Sequence, residues 1–187
     1  MYFRVGNPLG YYKDPDLETA HLFKVEVCDE FVMICAVFGF TSWTNLKTYK
    51  SDDDTIQEVA KAITELGYAW KNDKAPLLNM QRLVKKGVAI HASSNEELFD
   101  KIRNFRVCRN GFPSFDIESM INACELKPVL EFADIMPVSE LQMEIWRNAD
   151  STRTFEQIYY EAFSDIALTD YMENVIHVNN EGAIYIF

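Results

Sequence analysis

Apolar positions are densest over residues 23–40, FKVEVCDEFVMICAVFGF. Phe23, Val25 and Val27 alternate with Lys24 and Glu26, the period-two pattern of a strand with one buried and one wet face. Residues 31–38 contain no polar side chain, which predicts a second strand buried on both faces and joined to the first by a turn at Asp29 and Glu30. Upstream, residues 2–5 predict a short strand, and Gly6, Pro8, Gly10 and Pro15 punctuate an irregular loop. Residues 41–50 predict a loop with Trp43 folded back on the core.

From residue 51 the period changes to that of helices. Ser51 and the run Asp52, Asp53, Asp54 suit a helix start, since polar oxygens accept free amides and negative charge favours the positive end of the dipole. Ile56, Val59, Ala60, Ile63 and Leu66 follow at helical spacing, and Gly67 ends the run. Residues 77–86 predict a shorter helix stopped by Gly87, residues 88–91 a strand, and Ser94 with Glu97 a capping box opening a helix with Leu98, Ile102 and Phe105 inside. After Pro113, the positions Phe115, Ile117, Met120 and Ile121 predict another helix, and the segment between Pro128 and Pro137 is less regular.

Two more capping boxes follow, Ser139 with Gln142 and Thr154 with Gln157. The first predicted helix buries Leu141 and Ile145, the second Phe155, Ile158, Tyr159, Ala162 and Ile166. Residues 175–178 and 183–187 flank an Asn-Asn-Glu-Gly turn and predict a terminal hairpin whose last strand shares a sheet with the first strand of the chain. The sum is an α+β fold: a small, mainly antiparallel sheet from the N- and C-terminal hairpins, with five to six amphipathic helices. Residues 1–128 read as an α+β domain. Residues 129–187 read as an acidic helical segment with a terminal hairpin, packed on the first as one compact unit.

Composition agrees with an ordered globular chain: of 187 residues 48% are hydrophobic and 13% aromatic, with only 7 Gly and 6 Pro. The first sixteen residues lack the apolar core of a secretory signal, and no apolar run approaches the roughly 20 residues that span a bilayer, so a cytoplasmic, membrane-free protein is expected. Cys28, Cys35, Cys108 and Cys124 match no zinc or redox spacing and are expected as small buried hydrophobes.

Charge changes the picture more. The net charge is −11, and residues 129–187 hold 11 acids against Arg147 and Arg153 alone, so −9 of it sits in the last third. Carboxylates at i and i+4 of a helix lie about 6 Å apart, close to the spacing of phosphates on a DNA strand. Glu140 with Glu144, and Glu161 with Asp165, meet that condition, and such helices could imitate a nucleic-acid backbone or simply be a solvated acidic surface. Asp170 and Glu173 extend the acidic set, and Trp146, Tyr160 and Tyr171, near the edges of the apolar faces, suit either aromatic anchors of a binding face or the core.

The middle of the chain has the opposite sign. Lys101, Arg103, Arg106 and Arg109, with Lys85 and Lys86 before them and Phe105 among them, could contact phosphates and stack on a base, or could pair with the acidic third. Among His21, His91 and His177, His91 is the best-placed candidate for acid–base catalysis, with Asp100 and Lys101 on the following helix; a metal-independent RNase could be built from such parts. The triple aspartate has no further metal ligands nearby and favours helix capping over a metal site. GxSxG, P-loop, GxGxxG, CxxC and HExxH motifs are absent, so no cofactor and no named catalytic chemistry is indicated.

The opening Phe3-Arg-Val-Gly-Asn7, Leu9-Gly10 and Tyr12, and the closing Asn179-Asn-Glu-Gly-Ala-Ile-Tyr-Ile-Phe187, resemble the ends of ArdA-type antirestriction proteins. The resemblance implies a phage or mobile-element protein, often dimeric, that mimics DNA through acidic helices and blocks a host restriction enzyme. Pro8 stands inside the first motif, and the central cations are foreign to a pure DNA mimic. A CRISPR effector, with its basic nucleic-acid channel, is therefore a second candidate target. The leading expectation is a non-enzymatic counter-defence inhibitor acting through acidic helices; the alternative is a nucleic-acid-binding protein or small nuclease using the basic cluster.

Overall fold

The computed structural model describes residues 1–13, 21–49, 51–115, 128–131 and 135–187. The fold is α+β, with helices and several small antiparallel sheets. The chain divides into two units, Met1–Lys101 with Ile186–Phe187, and Ile102–Tyr185. The boundary expected at residue 128 adjoins residues 116–127, which lie outside the described residues.

In the first unit, β2 (Asn7–Lys13), β3 (His21–Val27) and β4 (Glu30–Cys35) form a sheet in that order, while β1 (Tyr2–Arg4) pairs antiparallel with β5 (Ala89–His91). The stretch expected to be a loop around Pro8 is thus strand β2. Its register shifts between Pro8 and Gly10, a bulge on an edge strand, the kind of place where a proline without an N–H is tolerated. The β3–β4 turn falls on Cys28 and Asp29, one residue before the expected place, with φ of 48° and 64°, the positive pair that a two-residue hairpin needs.

Strand β4 is not buried on both faces: it is a sheet edge, Ile34 is buried, and Phe31 is 60% exposed under the Lys24 ammonium, 3.7 Å from its ring centroid. A π turn, Ala36–Phe40, and a short helix α1 (Thr41–Thr44) follow where a loop was expected. Trp43 does fold back on the core, 1% exposed, its Nε1 donating to the Val5 carbonyl at 2.8 Å. Phe40 stacks on Phe23 at 3.7 Å between ring centroids. Helix α2 (Asp52–Glu65) is capped by Ser51, whose hydroxyl accepts from the Asp53 amide. Helix α3 (Ala75–Lys85) begins with Pro76 in its first turn, and α4 (Asn95–Ile102) follows β5. Phe105 lies past the end of α4 rather than on it. Val59, Ile63, Met80, Leu83 and Leu98 complete a core with Phe3 and Val25, each worth about 1.5–3 kcal/mol of burial.

After residue 101, β6 (Arg106–Arg109) is the middle strand between β10 (Asp150–Thr154) and β11 (Ile184–Ile186, of which Ile186 is counted with the first unit), and β7 (Phe112–Phe115), β8 (Pro128–Glu131) and β9 (Ile135–Pro137) form another sheet. Phe115 therefore ends a strand where a helix was expected; Ile117, Met120, Ile121 and Cys124 lie outside the described residues. The segment bracketed by Pro128 and Pro137 is strand at both ends. Helices α5 (Glu140–Asn148) and α6 (Phe155–Ala162) start at the two predicted capping boxes, both reciprocal. Ile166 falls beyond the end of α6.

The terminal hairpin is overturned. Residues expected as its first strand belong to helix α7 (Leu168–Asn180), which buries Tyr171, Met172, Val175, Val178 and Asn179 on one stripe. Nor do the first and last strands share a sheet: β1 pairs with β5 and β11 with β6, and the Ile186 carbonyl accepts a single bond from the Gly6 amide at 2.7 Å. The cysteines among the described residues are not buried hydrophobes either. Cys28 and Cys35 are exposed and Cys108 is half-buried, the first because it occupies the hairpin turn.

Candidate partner-binding surface

The acidic residues of the second unit are positioned by the same caps that start its helices. Ser139 accepts from the Gln142 amide at 3.2 Å while Gln142 accepts from the Ser139 amide at 3.0 Å, and this places Glu140 in the first turn of α5, exposed and at the favourable end of the dipole. Glu144 stands one turn on, also exposed, and pairs with Arg147. Asp170 and Glu173 occupy the first turns of α7, again exposed.

The second expected i, i+4 pair is not built. Glu161 is on α6, but the helix ends at Ala162 and Asp165 lies in the turn beyond it, exposed. Glu161 is held instead by Arg153, 3.1 Å away. Arg153 also pairs with Asp150 at 2.7 Å, so this base is already shared between two carboxylates. From residue 154 to the end of the chain there are six acids, Glu156, Glu161, Asp165, Asp170, Glu173 and Glu181, and no Lys or Arg.

The three candidate aromatic anchors separate. Trp146 is buried, its Nε1 donating to the Asn110 carbonyl at 2.6 Å with the Arg109 guanidinium 5.4 Å from the ring centroid. Tyr171 is 1% exposed among Phe155, Tyr159 and Phe163; burial first, and Tyr159 second, pushes its phenol well above the ordinary value. Both are core. Tyr160 is 60% exposed, edge-on to Tyr159 with 5.2 Å between ring centroids, and stands next to Glu161.

The central cations do not form one free cluster. Lys101 belongs to the first unit, where its Nζ donates to Glu97 at 2.6 Å and to the His91 carbonyl at 2.7 Å. The bonds from Lys101 and the Ser93 amide hold the Glu97 carboxyl down at about 2. Arg103, Phe105, Arg106 and Arg109 belong to the second unit; Arg106 and Arg109 are exposed at the two ends of β6 and Val107 between them is buried, with strand alternation placing Arg106 on the face opposite Val107 and Arg109 on the same face as Val107. Phe105 is half-buried, and its carbonyl accepts from the Phe155 amide at 2.7 Å.

His91 has a carboxylate partner, but one the sequence did not single out. Its Nε2 lies 2.7 Å from Asp52 Oδ2, and the Met1 ammonium lies 2.7 Å from Asp52 Oδ1. Desolvation, the largest influence, pushes the Asp52 carboxyl up; the bonds from the ammonium and His91 outweigh it, and the net is a lowered value. Tyr2 lies over His91 with 4.8 Å between ring centroids, its phenol raised by burial and then by Asp52. Asp100 is exposed on α4. A groove of about 520 Å³ in the first unit is lined by none of His91, Asp52, Asp100 or Lys101. The only signal for the Asp52–His91 pair was an aspartate run at a helix start, which capping already explained.

Among the described residues, no group of three or more His, Cys, Asp or Glu is placed to hold a metal ion, and no helix is long and apolar enough to cross a membrane. Comparison with protein-family models, curated proteins and solved structures finds no match.

Proposed function

We propose that this protein is a non-enzymatic inhibitor of phage or mobile-element origin that acts in the host cytoplasm on a nucleic-acid-processing defence enzyme, a restriction enzyme or a CRISPR effector. The observation that carries this reading is the exposed acidic stretch of the second unit: Glu161, Asp165, Asp170 and Glu173 are all exposed, as is Tyr160 next to Glu161 in sequence, in a run of chain without a single Lys or Arg. Such a surface repels nucleic acid and is drawn to channels that bind phosphates, with an attraction that salt screens. Tyr160, exposed on the same stretch of chain, supplies apolar area with a polar tip, the kind of residue that anchors interfaces. The likeness of the chain ends to ArdA-type proteins fits the same reading.

The test is cleavage by purified restriction and CRISPR enzymes with the protein added at low and at raised salt. Expected is inhibition that weakens about tenfold or more as salt rises. Replacing Glu140, Asp165, Asp170 and Glu173 by Lys should abolish it, with circular dichroism and melting unchanged. Inhibition that survives in this quadruple variant overturns the acidic-surface reading. Direct retardation of RNA or DNA, lost when Arg103, Arg106 and Arg109 become Glu, would move the function to the cationic strand β6 and its neighbours.

A further inference from the structure

The first unit contains a groove of about 520 Å³, within the range of small-molecule sites, at the junction of β4, the π turn, residues 69–72 and α3. Its walls are largely apolar and aromatic: Ile34, Phe38, Trp70, Leu78 and Leu83. Phe38 meets Trp70 at 5.5 Å and Tyr68 at 5.8 Å between ring centroids, so one wall is an aromatic cluster. A hydrogen bond also ties α3 to the π turn along the groove. Asn79, 7% exposed, donates through Nδ2 to the Phe38 carbonyl at 3.1 Å and to the Ser42 hydroxyl, which itself bonds the same carbonyl.

The charge of this groove runs against that of the chain. Lys71, Arg82 and Lys86 line it and no Asp or Glu does, in a protein with 29 acids and 18 bases. Asn79, Arg82 and Lys86 lie three and four residues apart on α3 and its C-terminal cap, hence on one face. Cations near the end of a helix are ordinary complements of its dipole. That account does not cover Lys71, which comes from a different segment. Lys86 donates to the Met33 carbonyl at 2.6 Å and keeps two further ammonium donors, and among the described residues no carboxylate is paired with Lys71 or Arg82.

We infer that this groove binds a small amphipathic anion, its apolar or aromatic body between Phe38, Trp70 and Leu78 and its acidic head at Arg82, with Lys71 and Lys86 contributing to the positive field. A neutral molecule of the same shape would use the walls and leave the cations idle. An inorganic anion would find the cations without the walls.

The full chain is titrated with anilinonaphthalenesulfonate, and the bound probe is then displaced by decanoate, decyl phosphate or decanol. Expected is saturable probe fluorescence at one site, displacement by both anions, and displacement by decanol weaker by about tenfold or more. Arg82→Glu should weaken decanoate by a similar factor. Lys85→Glu, an equal charge change at a residue outside the groove, should not. Melting curves of both variants verify that they fold. Equal competition by decanol and decanoate, equal losses in the two variants, or no saturable probe signal would each overturn the assignment. Decyl phosphate alone displacing the probe would narrow the head group to a phosphate.

Discussion

Asp150 organises a turn that no pattern in the sequence announces. Its carboxylate accepts from the Thr152 amide at 2.9 Å, the Thr152 hydroxyl at 2.7 Å and the Arg153 side chain at 2.9 and 2.7 Å. This Asx-type turn carries Ser151 at φ 68° and accompanies the register shift of β10 against β6. Partial burial alone would push the Asp150 carboxyl up; the bonds from Thr152 and Arg153 outweigh it and hold the group well below its ordinary 3.8. A carboxyl lowered on folding stabilises fully above its unfolded value and loses that contribution as pH falls toward its folded one. Asp150→Ala is therefore expected to lower stability by about 1–2 kcal/mol at pH 7, a range discounted for partial exposure, and the gap from wild type should shrink below about pH 4. Urea titrations at several pH values measure it, and a gap independent of pH would refute the role given to the charged form. At the same scale, Trp146 could be read as anchor or as core, because its position on the helix marks the edge of a face but not whether a partner such as the Asn110 carbonyl awaits the indole; the structure makes it core.

Elements were legible in the sequence wherever a local chemical signal fixed an end. The boxes at Ser139 and Thr154 each lie within four residues, need no distant partner, and form as read. Thr154→Ala should cost about 1 kcal/mol, while Thr154→Ser, which keeps the hydroxyl, should cost a few tenths. Thermal melts of the two variants compare them, and equal losses would show that the β10–α6 junction is held by packing alone. Helix α7 was illegible for the converse reason. Val175-Ile-His-Val before Asn-Asn-Glu-Gly satisfies strand and turn preferences locally, yet Tyr171, Met172, Val175, Val178 and Asn179 form a helical stripe whose burial outweighs them. Strand β4 failed similarly: eight apolar residues in a row cannot reveal that the sheet ends there, which leaves Phe31 in solvent.

At the scale of the whole molecule, charge was legible because it is a sum over residues, whereas the division into two units depends on contacts between residues far apart in sequence. Ile186 is fully buried and belongs with residues 1–101, and its carbonyl accepts from the Gly6 amide. Gly6 itself tolerates no larger residue, since a Cβ there would collide with Val25 at a φ of 113°. The first unit therefore completes its core only when residues about 180 positions downstream arrive, a closure that is slow relative to local contacts. Ile186→Ala, which removes apolar contacts but leaves the backbone bond, should destabilise by about 2–5 kcal/mol. Hydrogen exchange locates the loss: amides of β1 and β5 should lose protection along with those of β11. If β1 and β5 stay protected while β11 alone opens, the first unit does not depend on the returning chain end, and residues 1–101 should then fold when expressed by themselves.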